Sequence, residues 1–94
     1  MHERALMADV TRKIEQTALE AGGGRVTRVV VVLGALSHFT AEHFREHFAD
    51  ATSGTVAEGA EVIATVDDDL SAPHAGDVVL ESVELEFAGT QEQL

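Results

Sequence analysis

The chain has 94 residues, enough for one domain with a single hydrophobic core, and 45% of them are hydrophobic. Seventeen acidic against six basic side chains give a formal charge of −11, which disfavours binding to nucleic-acid phosphates and to anionic lipid. There is no cysteine, so disulfides, thiolate zinc sites and cysteine nucleophiles are excluded. No apolar run is long enough to span a bilayer and no leader is evident, so we expect a cytoplasmic protein without membrane or nucleic-acid partners.

The first three residues, Met1-His2-Glu3, offer a metal chelate. A histidine at position two is too bulky for the usual removal of the initiator methionine, so the α-amine, the His2 amide and its imidazole are expected to stay adjacent. Together these groups form a nitrogen-rich tetragonal set that suits Ni(II) or Cu(II) better than Zn(II) or Mg(II). The plainer interpretation is an initiator methionine followed by a capping residue and a first-turn acid.

The residues that follow the tripeptide show the periodicity of a helix. From Glu3 to about Ala21 apolar residues recur every fourth position, which predicts an amphipathic helix with Leu6, Val10, Ile14 and Ala18 on its buried stripe. Three glycines, residues 22–24, end it. Near the positive end of the helix dipole His2 is favoured as the neutral imidazole, which is the form that binds metals.

Residues 25–33 are rich in valine and predict a central strand with apolar side chains on both faces. Helices on only one side of the sheet would leave the second valine row exposed. In a soluble protein such a row often marks a dimer or partner surface, so we expect a homodimer through this valine-rich face.

The second helix is predicted to start at a Thr40 cap, with Phe39 and Phe44 spaced as a hydrophobic staple. His43 and His47 are one turn apart on this helix and could hold a metal ion together. The competing interpretation is a pair of partly exposed surface histidines.

Two further strands are predicted at residues 61–66 and 78–87, the last with a bulge near Glu81-Ser82. Residues 67–77, with three aspartates, His74 and the only proline, predict an acidic solvated loop that joins the strands as an antiparallel hairpin. The expected fold is therefore α+β in two layers, with two helices on one face of a three-stranded mixed sheet.

Three motifs then carry a family resemblance. They are Met1-His2-Glu3 before a helix with Leu6, the strand end Val32-Leu33-Gly34 followed by Leu36-Ser37, and the run from Gly54 to Glu61 that enters the next strand. With them the chain resembles the nickel-binding domain of the HypA/HybF family, accessory proteins that insert nickel into [NiFe] hydrogenases and, in some organisms, urease.

The resemblance implies that residues 1–94 form one nickel-binding domain and that Met1, His2 and Glu3 bind Ni(II) transiently. Glu3 would contribute its amide nitrogen, with its carboxylate as support. The implied partners are the hydrogenase large subunit and the nickel-insertion GTPase, and no enzyme activity is implied.

One departure from the family is large. Its members carry a zinc ribbon with paired CxxC motifs between the last two strands, and here the short loop 67–77 stands in that place without a cysteine. We therefore expect no structural zinc. Arg4 and Ala5 also depart from the small or polar residues usual after the tripeptide. The alternative function is a metal-free docking or scaffold module in hydrogenase assembly that no longer delivers metal.

Overall fold

A computed structural model describes residues 2–87, with side chains from Arg4 onward. Its elements are α1 (His2–Glu20), β1 (Arg25–Leu33), α2 (Ala41–Ala51), β2 (Glu61–Val66) and β3 (Val78–Glu86). Both helices pack on one face of a three-stranded mixed sheet. The predicted α+β fold and its order of helix, strand, helix, strand, strand are confirmed.

The core lies between the helices and that face of the sheet. From α1 it takes Met7, Val10, Ile14 and Ala18, which recur every three or four residues and so line one side of the helix. The predicted stripe is nearly right, but Leu6 is only partly buried and Met7 takes the deeper place.

The aromatic part of the core comes from α2. Phe44 and Phe48 are at most 2% exposed, and their rings stack at 5.9 Å between centroids. Replacing a buried phenylalanine with alanine typically costs about 3–5 kcal/mol, so these two positions fix which side of α2 faces the sheet.

The central strand is β1, as predicted, in the sheet order β2-β1-β3. It pairs in parallel with β2 and antiparallel with β3. A register shift between Val26 and Arg28 brings Val26 onto the buried face with Val29, whereas strict alternation places it on the opposite face. A second shift sets Val30 opposite Ser82 and Val31 opposite Leu80, which confirms the predicted bulge near Glu81-Ser82.

The predicted hairpin between the last two strands is wrong. β2 and β3 flank β1, so residues 67–77 cross over the end of the central strand. A physical reason lies in strand length, because β1 and β3 have nine residues each and β2 has six. Pairing β3 with β1 therefore satisfies more backbone hydrogen-bonding groups than a hairpin with β2 would.

The crossing is held by backbone hydrogen bonds to the segment that follows β1. Gly34 N–H donates to the Asp77 carbonyl at 2.9 Å, and Leu36 N–H donates to the Ala75 carbonyl at 2.7 Å. A Cβ placed on Gly34 would lie 2.2 Å from the Ala75 carbonyl oxygen and 2.5 Å from that of His74. Only glycine fits here without moving backbone.

The sheet face opposite the helices carries no helix or strand within residues 2–87. Val30 pairs with Ile63, and Val32 pairs with Val79, and these side chains are partly exposed. Beside this row Arg28 forms an ion pair with Glu61 on β2 and another with Glu84 on β3, each at 3.1 Å. The predicted exposed valine row is therefore present.

We predict that Gly34→Ala lowers the free energy of unfolding by about 1–3 kcal/mol, the usual cost of inserting atoms into a packed region. The added methyl group meets backbone atoms, which relax less readily than a flexible side chain. Urea unfolding followed by circular dichroism measures the change. Gly76→Ala is the matched control, because nothing lies within 4 Å of a Cβ at residue 76. Equal stability of the two variants would contradict the tight crossing.

Candidate metal sites

The predicted terminal chelate lies at the limit of the described structure. Met1 lies outside the described residues, and so do the side chains of His2 and Glu3. The backbone of α1 begins at His2. The first four N–H groups of an α-helix have no acceptor inside the helix, so the amides of His2 and Glu3 are not committed to the helical hydrogen-bond pattern.

An open groove of about 690 Å³ runs between α1 and α2 at this end of the molecule. Arg4, Met7 and Thr11 line it from α1, while His47 and Asp50 line it from α2. The Thr11 hydroxyl oxygen is buried and has no hydrogen-bond partner among the described residues. The groove brings the first turns of α1 and the histidine-bearing part of α2 side by side.

The start of α2 is built as the sequence predicts. The Thr40 hydroxyl accepts a hydrogen bond from the His43 N–H at 3.0 Å, which is an N-cap. Phe39 and Phe44 meet edge to face at 5.5 Å between ring centroids, which is the predicted staple. The cap fixes the residue at which α2 begins, and the contact between Phe39 and Phe44 fixes the rotation of the helix about its axis.

His43 and His47 lie one helical turn apart, so their side chains are neighbours on α2. Their ring centroids lie 4.5 Å apart with an interplanar angle of 63°. The ring of Phe39 lies 5.7 Å from that of His43 and 6.4 Å from that of His47. His43 is half-buried and His47 is exposed. Over the part of the chain from Arg4 to Phe87, no cluster of three or more histidine, aspartate or glutamate side chains could hold a metal ion.

The acidic loop uses its carboxylates in its own turns. Asp67 accepts from the Asp69 N–H at 3.0 Å, and Asp69 accepts from the Ser71 hydroxyl at 2.8 Å and from its N–H at 3.0 Å. The Ser71 hydroxyl, together with its N–H, lowers the pKa of the Asp69 carboxyl. His74 Nδ1 lies 3.2 Å from Asp77 Oδ2. These bonds stabilise the turns of the loop.

The backbone conformation of His38 is a feature that the sequence did not predict. His38 is exposed and has φ of 68°, a left-handed conformation that is uncommon for residues other than glycine. It lies in the segment between β1 and α2, where the chain turns after Gly34. The shared groove of Arg4 and His47 was also missed, since it depends on how two helices pack.

Comparison with known proteins gives a family. Residues 1–72 match the family described as hydrogenase/urease nickel incorporation, metallochaperone, HypA. The chain is 36% identical over 63 residues to hydrogenase maturation factor HypA of Chlorobaculum tepidum, which covers 67% of this chain and 56% of that protein. It is 42% identical over 60 residues to hydrogenase maturation factor HypA 1 of Bradyrhizobium diazoefficiens, which covers 64% and 53%.

The chain therefore belongs to the HypA family, as its motifs predicted. It spans a little over half the length of the curated relatives it matches. The family is described by nickel incorporation rather than by a catalysed reaction. Neither of the two helices within residues 2–87 has the length and apolar character needed to cross a membrane.

We predict that Thr40→Ala lowers the free energy of unfolding by about 1 kcal/mol, because the His43 N–H loses its acceptor. Thr40→Ser keeps a hydroxyl at the cap and should stay within a few tenths of a kcal/mol of the parent. Thermal unfolding by circular dichroism compares the two variants. A Thr40→Ser variant as unstable as Thr40→Ala would show that the methyl group, and not the cap, stabilises this end of α2.

Proposed function

We propose that this chain is a nickel metallochaperone that binds Ni(II) at its amino terminus and assists maturation of a [NiFe] hydrogenase. The observation that carries the proposal is the HypA family match, which begins at residue 1 and so includes Met1-His2-Glu3. Support comes from the start of α1 at His2, because the amides needed as ligands are free of helical hydrogen bonds.

The proposed ligands are the α-amine of Met1, the amide and imidazole nitrogens of His2, and the amide of Glu3. An amide nitrogen must lose its proton to bind a metal, so it cannot also donate a hydrogen bond. At the first turn of a helix this change breaks no backbone pair. Nitrogen ligands in a tetragonal set favour Ni(II) and Cu(II), whereas Zn(II) prefers tetrahedral sites. The proposal requires a free α-amine on Met1.

Transient binding suits delivery. Each ligand competes with a proton for its lone pair, so affinity falls as pH decreases and the ion is released to better ligands. The proposed recipient is the precursor of a hydrogenase large subunit, and the proposed helper is the nickel-insertion GTPase of the same assembly. A cytoplasmic location and the absence of structural zinc stay predictions. So does the assignment of residues 1–94 to one nickel-binding domain, with residues 67–77 in place of the zinc ribbon.

A second candidate function follows from one observation, the lack of any cysteine for the zinc ribbon of the family. In this alternative the chain is a docking module that has lost metal delivery and keeps only its contacts with hydrogenase assembly partners. The alternative predicts partner binding without nickel binding.

We predict that the untagged chain binds one equivalent of Ni(II) tightly, measured by isothermal titration calorimetry. His2→Ala, or a two-residue extension before Met1, should weaken this binding by about 100-fold or more, since each removes nitrogens from the same chelate. His74→Gln is the matched control, because it removes an exposed histidine that is not among the proposed ligands and should leave tight binding unchanged. His74 lines a groove with Leu6 of α1, so weaker binding in this variant would add His74 to the site.

Two outcomes would contradict the terminal site. Tight binding that survives both changes at the amino terminus would move the site elsewhere. No nickel binding by the untagged chain, together with capture of a purified hydrogenase large-subunit precursor, would favour the docking module.

The predicted homodimer through the valine-rich sheet face belongs to the same proposal. That face, defined by Val30, Val32, Ile63 and Val79, offers an apolar centre. Ile63 is 38% exposed within it. Removing such side chains from water contributes about 25 cal/mol per Å² of apolar area buried. The net charge of −11 opposes self-association, so a dimer on this face should be favoured by added salt.

We predict that Ile63→Lys shifts the dimer toward monomer at a given concentration, because a charge replaces an apolar group next to Val30 of the central strand. Sedimentation velocity in high salt measures the shift. Leu19→Lys is the control: it makes the same change in charge at a residue of α1 that is 74% exposed. A chain that is monomeric at every concentration, or equal effects of both variants, would argue against the valine-rich face.

A further inference from the structure

We infer that His43 and His47 form a second metal site on α2, a two-imidazole chelate for Ni(II) or Cu(II) beside the amino-terminal end of α1. The site itself stands on the geometry of α2. Only its role, as a second holding position for nickel on the same protein, rests on the proposed function.

The spacing of the pair suits two ligands on one ion. Imidazole nitrogens bind these metals at about 2.0–2.1 Å, so two donors in adjacent positions lie about 3 Å apart. The centroids of the two imidazole rings lie 4.5 Å apart, so the rings are already in contact on one side of the helix. Residues four apart on a helix are neighbours on its surface, so α2 does not need to deform.

The surroundings hold the pair in place. Phe44 and Phe48 each follow one of the histidines and are buried, so the orientation of α2 is fixed with His43 and His47 beside its buried side, and His47 lines the groove with α1. The Phe39 ring lies against both imidazoles, at 5.7 and 6.4 Å between centroids. Side chains that are already restricted lose less conformational entropy when a metal binds.

Acidic side chains outnumber basic ones on α2, whereas Arg4 and Arg12 of α1 line the groove that His47 shares with Glu15 and Asp50. Glu42, Glu46 and Asp50 are exposed on this helix, and no basic residue lies in its last turn. The one arginine of α2, Arg45, donates a hydrogen bond to the Val62 carbonyl at 3.2 Å on the neighbouring strand. A strongly acidic surface raises the local concentration of divalent cations.

The His43–His47 pair lies on a helix that runs in the same direction as α1. The groove that His47 lines extends along α1 from Arg4 to Glu15, and a second groove joins Ala18 and Leu19, near the end of α1, to residues 54–56 after α2. The two helices therefore run in the same sense, and their first turns lie at the same end of the molecule.

The coordination of this site is incomplete. With two imidazoles and no third protein ligand from residues 4–87, the remaining positions belong to water or to a donor from another molecule. Such a site binds less tightly than a chelate with three or four nitrogens, and it exchanges its ion readily. That is the property expected of an intermediate holding position.

The test uses the full chain with a two-residue extension before Met1, an acetylated amino terminus and His2→Ala, so that no terminal amine or imidazole remains for a chelate. Titration with Ni(II) and with Cu(II) by calorimetry should show one weaker equivalent. The electron paramagnetic resonance spectrum of the Cu(II) form should show nitrogen coordination. Adding His47→Gln should weaken binding by about tenfold or more, because one of two donors is lost.

Two matched variants of the same blocked chain keep the test specific. His74→Gln removes a histidine elsewhere and should leave the weaker equivalent unchanged. His47→Gln combined with Ala49→His restores the number of histidines at an exposed position that does not face His43, and should not restore binding. Circular dichroism checks that α2 stays helical in each.

The inference is overturned if the blocked chain binds neither metal, if His47→Gln leaves binding unchanged, or if His74→Gln weakens it equally. These outcomes are independent of the terminal site, which is tested in the untagged chain by His2→Ala. Suppose that His2→Ala abolishes tight binding in the untagged chain and that the blocked chain shows no weaker equivalent. The proposed function would then stand, and only the second site would be rejected.

Discussion

The close passage of backbone over Gly34 is the constraint on which the sheet depends. Because residue 34 has no side chain, the carbonyls of His74 and Ala75 can lie against it, and residues 67–77 cross from one edge of β1 to the other. The crossing delivers β3 to the free edge of β1, where Leu80, Val83 and Leu85 pack against the core. A bulkier residue at this point would separate β3 from the strand that satisfies its backbone.

Much of the fold could be predicted from sequence because its signals are local. The four-residue repeat from Leu6 to Ala18, the valine run of β1 and the cap at Thr40 each depend on residues close together in the chain, and each element was found. The bulge at Glu81-Ser82 was also predictable, because the apolar phase changes there. Sheet order was not, since the choice between a hairpin and a crossing depends on contacts between Gly34 and residues 74–75, which are about 40 residues apart.

The candidate sites divide in the same way. The spacing of His43 and His47 is a sequence fact, and helix geometry turns it into a 4.5 Å ring separation. That α1 and α2 begin at the same end of the molecule follows from helix packing, which has no local signal. Nitrogen donors dominate both proposed sites, and the chain has no cysteine to supply a thiolate. Under the proposed function, nickel would pass from these borderline donors to softer ligands on a recipient, a direction that ligand preference favours.

The hydrogen bond from Leu36 to Ala75 joins the 67–77 connection to the segment that leads into α2. A domain inserted within residues 67–77 would therefore be joined to the segment before α2 by hydrogen bonds as well as by its own two connections to the chain. Strain or motion in such a domain would reach Phe39 and the cap of α2 through one short stretch of backbone. In this chain the connection is the eleven residues 67–77, which form turns. Its hydrogen bond to Leu36 holds the segment that precedes α2.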